Sequence, residues 1–431
     1  MKTQINIIVG VTVAISGAVS AQTVNTGEMV VLPGTVLSTV DAFSDSATGT
    51  LTNDGEFILY SDFNNDGEVK FTPGETGYTR FEGATVAQKI TGLATSDDTK
   101  FYDVKFNNAS VQPAFQLVSD ISISGTSDFV NGIVDGDDFG GGMIFENGAA
   151  HFNTDNDSHM DGYVQKNGGL EEFTFPVGDG GFFRFSKISP TTGGSVGDAY
   201  VSKYFLENSN DLFPHANKVG NLETIDNTEY WTVDKEGTAA ETMLTLSWDQ
   251  ATTPSFIWHD LDVMDTSNEK LTIARWDETQ NLWLDQGGII EFGNSGNTAG
   301  TVTTLLKPDA YGVFTIARVK RNTQDDGNVF IYNAVSPNGD GQNDYFIIDG
   351  ITEHPKNHVT IVNRYGTKVY ETSNYDSNGN VFNGFSNNGL TVNTGEKLPA
   401  GTYYYFLDYE MASGTGTRKV QKAGYLYLND D

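Results

Sequence analysis

The stretch TNDGEFILYSDFNNDGEVKF, Thr52 to Phe71, carries NDGE twice, at Asn53–Glu56 and at Asn65–Glu68, and an apolar strand follows each copy. Asn, Asp and Gly in succession favour a tight turn, because Asx side chains bond nearby backbone and Gly accepts positive φ. The copies lie 12 residues apart, a period suited to stacked strands and turns. Comparable segments recur on both sides: YTRFEG (Tyr78 to Gly83), KFYDVKFNN (Lys100 to Asn108) and GMIFENGAAHF (Gly142 to Phe152). Each is too short to bury its own face, whereas stacking gives it partners above and below. Residues 22–169 are therefore read as a repetitive, β-solenoid-like domain, with an open sandwich as the competing arrangement.

The rest of the chain is also β in character. Gly accounts for 48 residues and aromatics for 12%, and no long stretch has helical periodicity. From EFTFPVGDGGFFRFSKI (Glu172 to Ile188) the strands lengthen and gain aromatics, as in YVSKYFL (Tyr200 to Leu206), EYWTV (Glu229 to Val233), MLTLSW (Met243 to Trp248), LTIARW (Leu271 to Trp276) and YGVFTIARV (Tyr311 to Val319). Such a run predicts a β-sandwich over residues 170–320. The polar RNTQDDGN that follows reads as a linker over 321–329.

At the N-terminus, Lys2 precedes an apolar run from Ile5 to Val19, and Val19-Ser20-Ala21 offers small residues for cleavage before Gln22. Residues 1–21 are thus expected to be a signal peptide. The run is shorter than the roughly 20 residues a spanning helix needs, and no transmembrane segment is expected. There is no cysteine, which excludes disulfides, thiol nucleophiles and cysteine metal sites. Net charge is −32: from Val329 onward there are 7 Lys/Arg and 11 Asp/Glu, against 18 and 46 before it. A field of that sign repels nucleic acid and anionic membrane.

Three segments near the C-terminus form an ordered set: SPNGDGQNDYF (Ser336 to Phe346), VTIVNRYGTKVYE (Val359 to Glu371) and LPAGTYYYFLDY (Leu398 to Tyr409). In the last, Tyr403, Tyr405, Leu407 and Tyr409 alternate with Tyr404, Phe406 and Asp408, so the two sets lie on opposite faces of one strand. Residues 330–431 suffice for a small immunoglobulin-like sandwich. These motifs resemble the gliding-motility-associated C-terminal domain, the type B sorting domain of Bacteroidota proteins exported by the type IX secretion system. The resemblance implies a secreted protein at the outer face of the outer membrane, with the translocon and a small outer-membrane barrel as partners. One departure is Phe382, where relatives carry Trp before an Asn/Asp-Gly turn, here Asn383-Gly384.

Few residues invite chemistry. Asp62, Asn64 and Asp66 with Gly67 give the opening half of a calcium loop, but Pro73 stands where its bidentate carboxylate belongs. Asn338, Asp340, Asn343 and Asp344 make a denser set of oxygen ligands. Both are calcium candidates and both are also turn sequences, so calcium is the one cofactor the sequence suggests. Asp155, Asp157 and Asp161 with His151 and His159 form a third polar cluster, more readily a solvated loop. Gly193–Gly197 satisfies G-x-S-x-G without the following helix that a nucleophile needs. Pro355 prevents His354 and His358 from aligning on a helix. No catalytic residue emerges. The expectation is a non-enzymatic adhesin or surface-structural protein, with gliding as a candidate process, that meets surface polysaccharide or another surface protein; the rival is a secreted carbohydrate-active enzyme with the same tail.

Overall fold

The computed structural model describes residues 22–429 apart from 94–98, 190–193, 221, 238, 260, 262–270, 294–297, 306, 320–328, 340–342, 378, 388–394 and 414–415. The expected signal peptide and linker segment 321–328 lie outside the described residues. Within them the regular secondary structure is almost wholly strand, with one four-residue α-helix at Ser255–Trp258.

The N-terminal strands stack in parallel on three faces. The first face runs Gln22–Asn25, Ala42–Asp45, Phe63–Asn65, Gln88–Gly92, Phe115–Leu117, Val134–Asp135, Met160–Asp161 and Val177–Asp179. The second begins Glu28–Val31, Thr50–Asn53 and Glu68–Lys70, and continues across the Val69–Thr99 bridge to Val164–Asn167. The third holds six strands, from Val36–Thr39 to Ala150–Phe152. The chain visits the faces in rotation and makes about six turns of a β-solenoid, not an open sandwich.

Parallel register places like residues over one another inside the coil. Phe43 stacks on Phe63 at 6.0 Å between ring centroids, and Phe81 lies nearly coplanar in orientation with Phe106 at 5.7 Å. The two NDGE copies occupy different corners: Asn53–Glu56 joins the second face to the third, and Asn65–Glu68 the first to the second. Their separation therefore spans two faces rather than one rung. A rung is longer, as the pairing of Phe43 with Phe63 and of Gln88 with Phe115 requires.

The corners also explain the choice of residues. Asn53 and Asn65 each accept, through Oδ1, the N–H of the glycine two residues on, at 3.2 and 3.0 Å. Their amides then donate to the next rung, Asn53 to Thr79 Oγ1 at 3.1 Å and Asn65 to Thr99 Oγ1 at 2.7 Å. A Cβ on Gly55 would lie 2.4 Å from the Leu32 carbonyl oxygen, and one on Gly67 2.3 Å from that of Gly49, so neither corner admits a side chain. Asn25, Asp45 and Asn65 superpose in a buried ladder, with Asn25 Nδ2 donating to Asp45 Oδ1 at 2.6 Å.

The solenoid passes directly into the sandwich. Strand Val164–Asn167 pairs in parallel with Met143–Phe145 and antiparallel with Ala199–Phe205, from which one sheet continues through Tyr230–Glu236, Gly312–Val319, Leu271–Asp277 and Leu282–Asp285. Facing it are Phe173–Phe175, Ser186–Ile188, Leu244–Asp249, Ala299–Thr303 and Ile289–Phe292. One continuous apolar core extends from Val31 to Ile316. The C-terminal unit has its own core, in which a five-stranded sheet covers the two-stranded pair Phe330–Ile331 and Ile348–Asp349.

Asp45 is the weak rung of its ladder. Its side chain is fully buried, Oδ2 has no hydrogen-bond partner among the described residues, and burial pushes its pKa up to about 6. Because the folded value lies above the unfolded one, this group favours folding below about pH 4 and that contribution is lost as pH rises through 6. Asp45→Asn, which restores the amide, is expected to raise the melting temperature at pH 7–8 by a few degrees. Thermal melts at pH 4 should find the gain largely gone.

Candidate functional site

Several of the side chains that the sequence offers as ligands take part in hydrogen bonds within the protein. Asp62 Oδ1 accepts the backbone N–H of Lys89 at 2.8 Å, and Asn64 Oδ1 accepts from Thr91 Oγ1 at 2.6 Å. Asn64 also donates to Ser44 Oγ at 3.2 Å and to Asp66 Oδ2 at 2.9 Å. Much of this oxygen set thus bonds neighbouring rungs. In the second candidate loop, Asp344 Oδ1 accepts from Gly339 N at 2.7 Å and the Asn343 carbonyl accepts from Ser336 N at 2.7 Å; Asn338 N donates to the Ser336 carbonyl, and Asp340 lies outside the described residues. Among the described residues no group of three His, Cys, Asp or Glu side chains is placed to hold a metal.

In the third cluster the carboxylates and imidazoles occupy different surroundings. Asp155 Oδ1 accepts from Asp157 N within an exposed turn, whereas Asp161 lies on the first face, where burial and the nearby carboxylates of Asp179, Asp135 and Asp137 push its pKa up to about 7. His151 and His159 are core rings at the solenoid–sandwich junction, and burial lowers the pKa of both. His151 Nε2 meets the Thr174 carbonyl at 2.6 Å and His159 Nδ1 the Asp155 carbonyl at 3.0 Å. In the G-x-S-x-G stretch, Ser195 Oγ donates to Asp198 Oδ1 at 3.0 Å and closes a turn; Gly193 lies outside the described residues.

A buried polar network in the sandwich has no counterpart in the sequence reading. Glu229 is fully buried, accepts from Tyr204 Oη at 2.7 Å and Thr253 Oγ1 at 2.5 Å, and has its pKa raised by burial. Arg184, itself buried, donates from Nε to Thr252 Oγ1 at 2.7 Å and lies 4.0 Å from Glu229 and 3.7 Å from Asp249. Arg184 also lines a cavity of about 350 Å³ with Phe183, Trp248, Asp249, Glu291 and Phe292. Arg184 Nη2 and Trp248 Nε1 have no hydrogen-bond partner among the described residues. An arginine before a phenylalanine and a glutamate opening a strand carry no distinctive spacing, so only the fold reveals this site.

The C-terminal unit is where residues and geometry agree most closely. Tyr403, Tyr405, Leu407 and Tyr409 point into its core, as their alternation predicts. Phe346 packs on Tyr405 at 5.0 Å, and Phe382 meets Tyr370 edge-on at 5.2 Å. Tyr375 ties these together: its hydroxyl donates to the Phe346 carbonyl at 2.5 Å and accepts from Phe382 N at 3.0 Å. The opposite face of the same strand is also apolar, with Tyr404 packed against Val362 and against Ile289 of the sandwich. Residues 329–428 match the CHU_C Type IX secretion signal domain. No curated protein and no solved structure matches the chain.

With this signal domain the protein is exported by the type IX system to the cell surface or extracellular space. Phe382 fills its slot completely, with no exposed surface, so the phenylalanine serves where relatives of the resemblance carry Trp. Phe382→Ala is expected to destabilise the signal domain by about 3–5 kcal/mol. Denaturant titration of the isolated 329–431 unit measures that loss. For the cation candidates, the rung bonds of Asp62 and Asn64 predict that adding calcium after chelation leaves the solenoid's melting temperature unchanged; a rise of several degrees would place an ion there.

Proposed function

We propose that the chain is a surface adhesin or surface-structural protein whose solenoid and sandwich form one body carried outside the cell by the signal domain. The observation that carries this reading is the shared core from Val31 to Ile316, which joins the stacked rungs and the sandwich into a single stiff unit. A stiff projecting body suits attachment, and its strong acidity keeps it solvated. Its proposed targets are a surface polysaccharide or another surface protein, with an outer-membrane barrel as the export partner and gliding as the process served. Replacing residues 22–320 by an inert soluble passenger should preserve export and abolish attachment of cells to their substratum. Attachment equal to that of the wild type would refute the adhesive role.

A second reading, a secreted enzyme acting on carbohydrate, draws on the cavity at Arg184, whose aromatic walls are flanked by Asp249 and Glu291. Release of reducing ends from polysaccharide by the purified protein, lost in Asp249→Asn and Glu291→Gln, would favour it over adhesion. For export, deleting residues 329–428 should leave the protein in the periplasm, measured by protease accessibility on intact cells.

A further inference from the structure

The first rung of the solenoid differs from those behind it at its outward positions. In register, Val24 stands beside Ser44 and Asn64, Val30 beside Thr52 and Lys70, and Val36 beside Glu56 and Tyr78. Those valines are 51%, 53% and 61% exposed, and Leu32 and Val40 at the corners extend the apolar collar. Solenoids ordinarily close their ends with a polar terminal repeat. Here the terminal rung is more apolar than its successors. Its three strands, Gln22–Asn25, Glu28–Val31 and Val36–Thr39, each pair on one side only among the described residues. Such edges are templates for further strand pairing.

Charge narrows what can cover this end. Glu28 is the one charged residue between positions 22 and 40, in a chain of net charge −32. A basic partner would find almost nothing there to pair with. A contact between like chains, by contrast, requires acidity to be absent at the place where they meet. At the far end of the coil two of the three faces are closed by antiparallel pairing, of Val177–Asp179 with Phe182–Phe183 and of Val164–Asn167 with Ala199–Phe205, and among the described residues Ala150–Phe152 alone is left as an edge, so one copy cannot extend another head to tail on all three faces.

We propose that two copies of the chain starting at Gln22 associate head to head through their first rungs. A two-fold axis through the middle of the second face sets Glu28–Val31 antiparallel to its counterpart, with Glu28 opposite Val31 rather than opposite itself. The same operation lays the first face of each copy over the third face of the other, again antiparallel. All three edges are paired by one closed, isologous contact. The collar valines flank the seam, and the incompletely covered Met29 and Leu37 become interior. A rung offers about 20 residues, the lower limit of a standard interface, so the dimer should dissociate on dilution.

Light scattering on the chain starting at Gln22, from about 1 to about 100 µM, is expected to register a shift from one chain to two. Val30→Lys combined with Val36→Lys, both outward and outside the core, should hold the protein at one chain across that range. Gln116→Lys, on a rung deep in the stack, should leave the dimer intact; circular dichroism melts check that both variants fold. A single-chain mass at every concentration overturns the proposal. So does a dimer that survives the paired lysines, which places the contact elsewhere, and so does a monomer in which retained residues 1–21 protect the first-rung amides from hydrogen exchange, which assigns the rim to an internal cap.

Discussion

A strand of two to six residues cannot hold itself in shape, and the solenoid of this protein is built from such strands. Its order depends on parallel stacking, in which every rung supplies backbone partners to the next. Once that register is imposed, inward positions superpose, and the sequence must place compatible groups in columns. Phenylalanine columns contribute about 0.5–1.5 kcal/mol per contact beyond burial. Asx columns bond up the stack where the chain turns. Gly49, Gly55, Gly67 and Gly77 at the corners follow from the same spacing, since adjacent rungs leave no room for a Cβ there.

Stacking also creates a problem at the last turn, where an unpaired rung would expose its edges. The chain meets it at the C-terminal end by reversing direction: the strands after Val164–Asn167 add antiparallel and grow into the sandwich. The junction is filled by rings, with His151 packed among Phe129, Phe145 and Phe173, and His159 against Phe183. Burial lowers the pKa of both imidazoles, which suits an apolar seam. Solenoid and sandwich therefore share one core and should unfold together. The signal domain has its own core, a condition for a module that a secretion system must grip on different passengers.

Turn chemistry and strand alternation were legible without coordinates, because both are local. Asn53 and Asn65 marked corners, and Tyr403 to Tyr409 alternated as a strand that has one face in a core. The rung length was not legible: strands of two to six residues carry too few positions to define three faces, and equal NDGE copies fell at unlike corners. GMIFENGAAHF divides at Asn147-Gly148 into Met143–Phe145 and Ala150–Phe152 for the same reason. Oxygen-rich loops read equally well as cation ligands and as turns, and only three-dimensional placement says that Asn64 bridges rungs. The cavity at Arg184 draws on Trp248 and Phe292, more than sixty residues downstream, and no local pattern brings such residues together.

Charge and apolar surface divide the molecule between them. Upstream of Val329 there are 46 Asp/Glu against 18 Lys/Arg, so most of that surface repels its like and stays in water. Over distances beyond the roughly 10 Å Debye length at 0.1 M salt the repulsion is screened, and at contact it is not. Close approach is then confined to places where acidity is missing. Inside the chain an apolar contact also joins Tyr404 of the signal domain to Ile289 and Leu305 of the sandwich, with the Glu291 carboxylate nearby. That patch is small beside either neighbouring core, so the signal domain is tethered to the body by a limited apolar contact. The arrangement lets a single strand serve two ends: its Tyr403–Tyr409 face folds the signal domain, and its Tyr404 face seats that domain on the protein it exports.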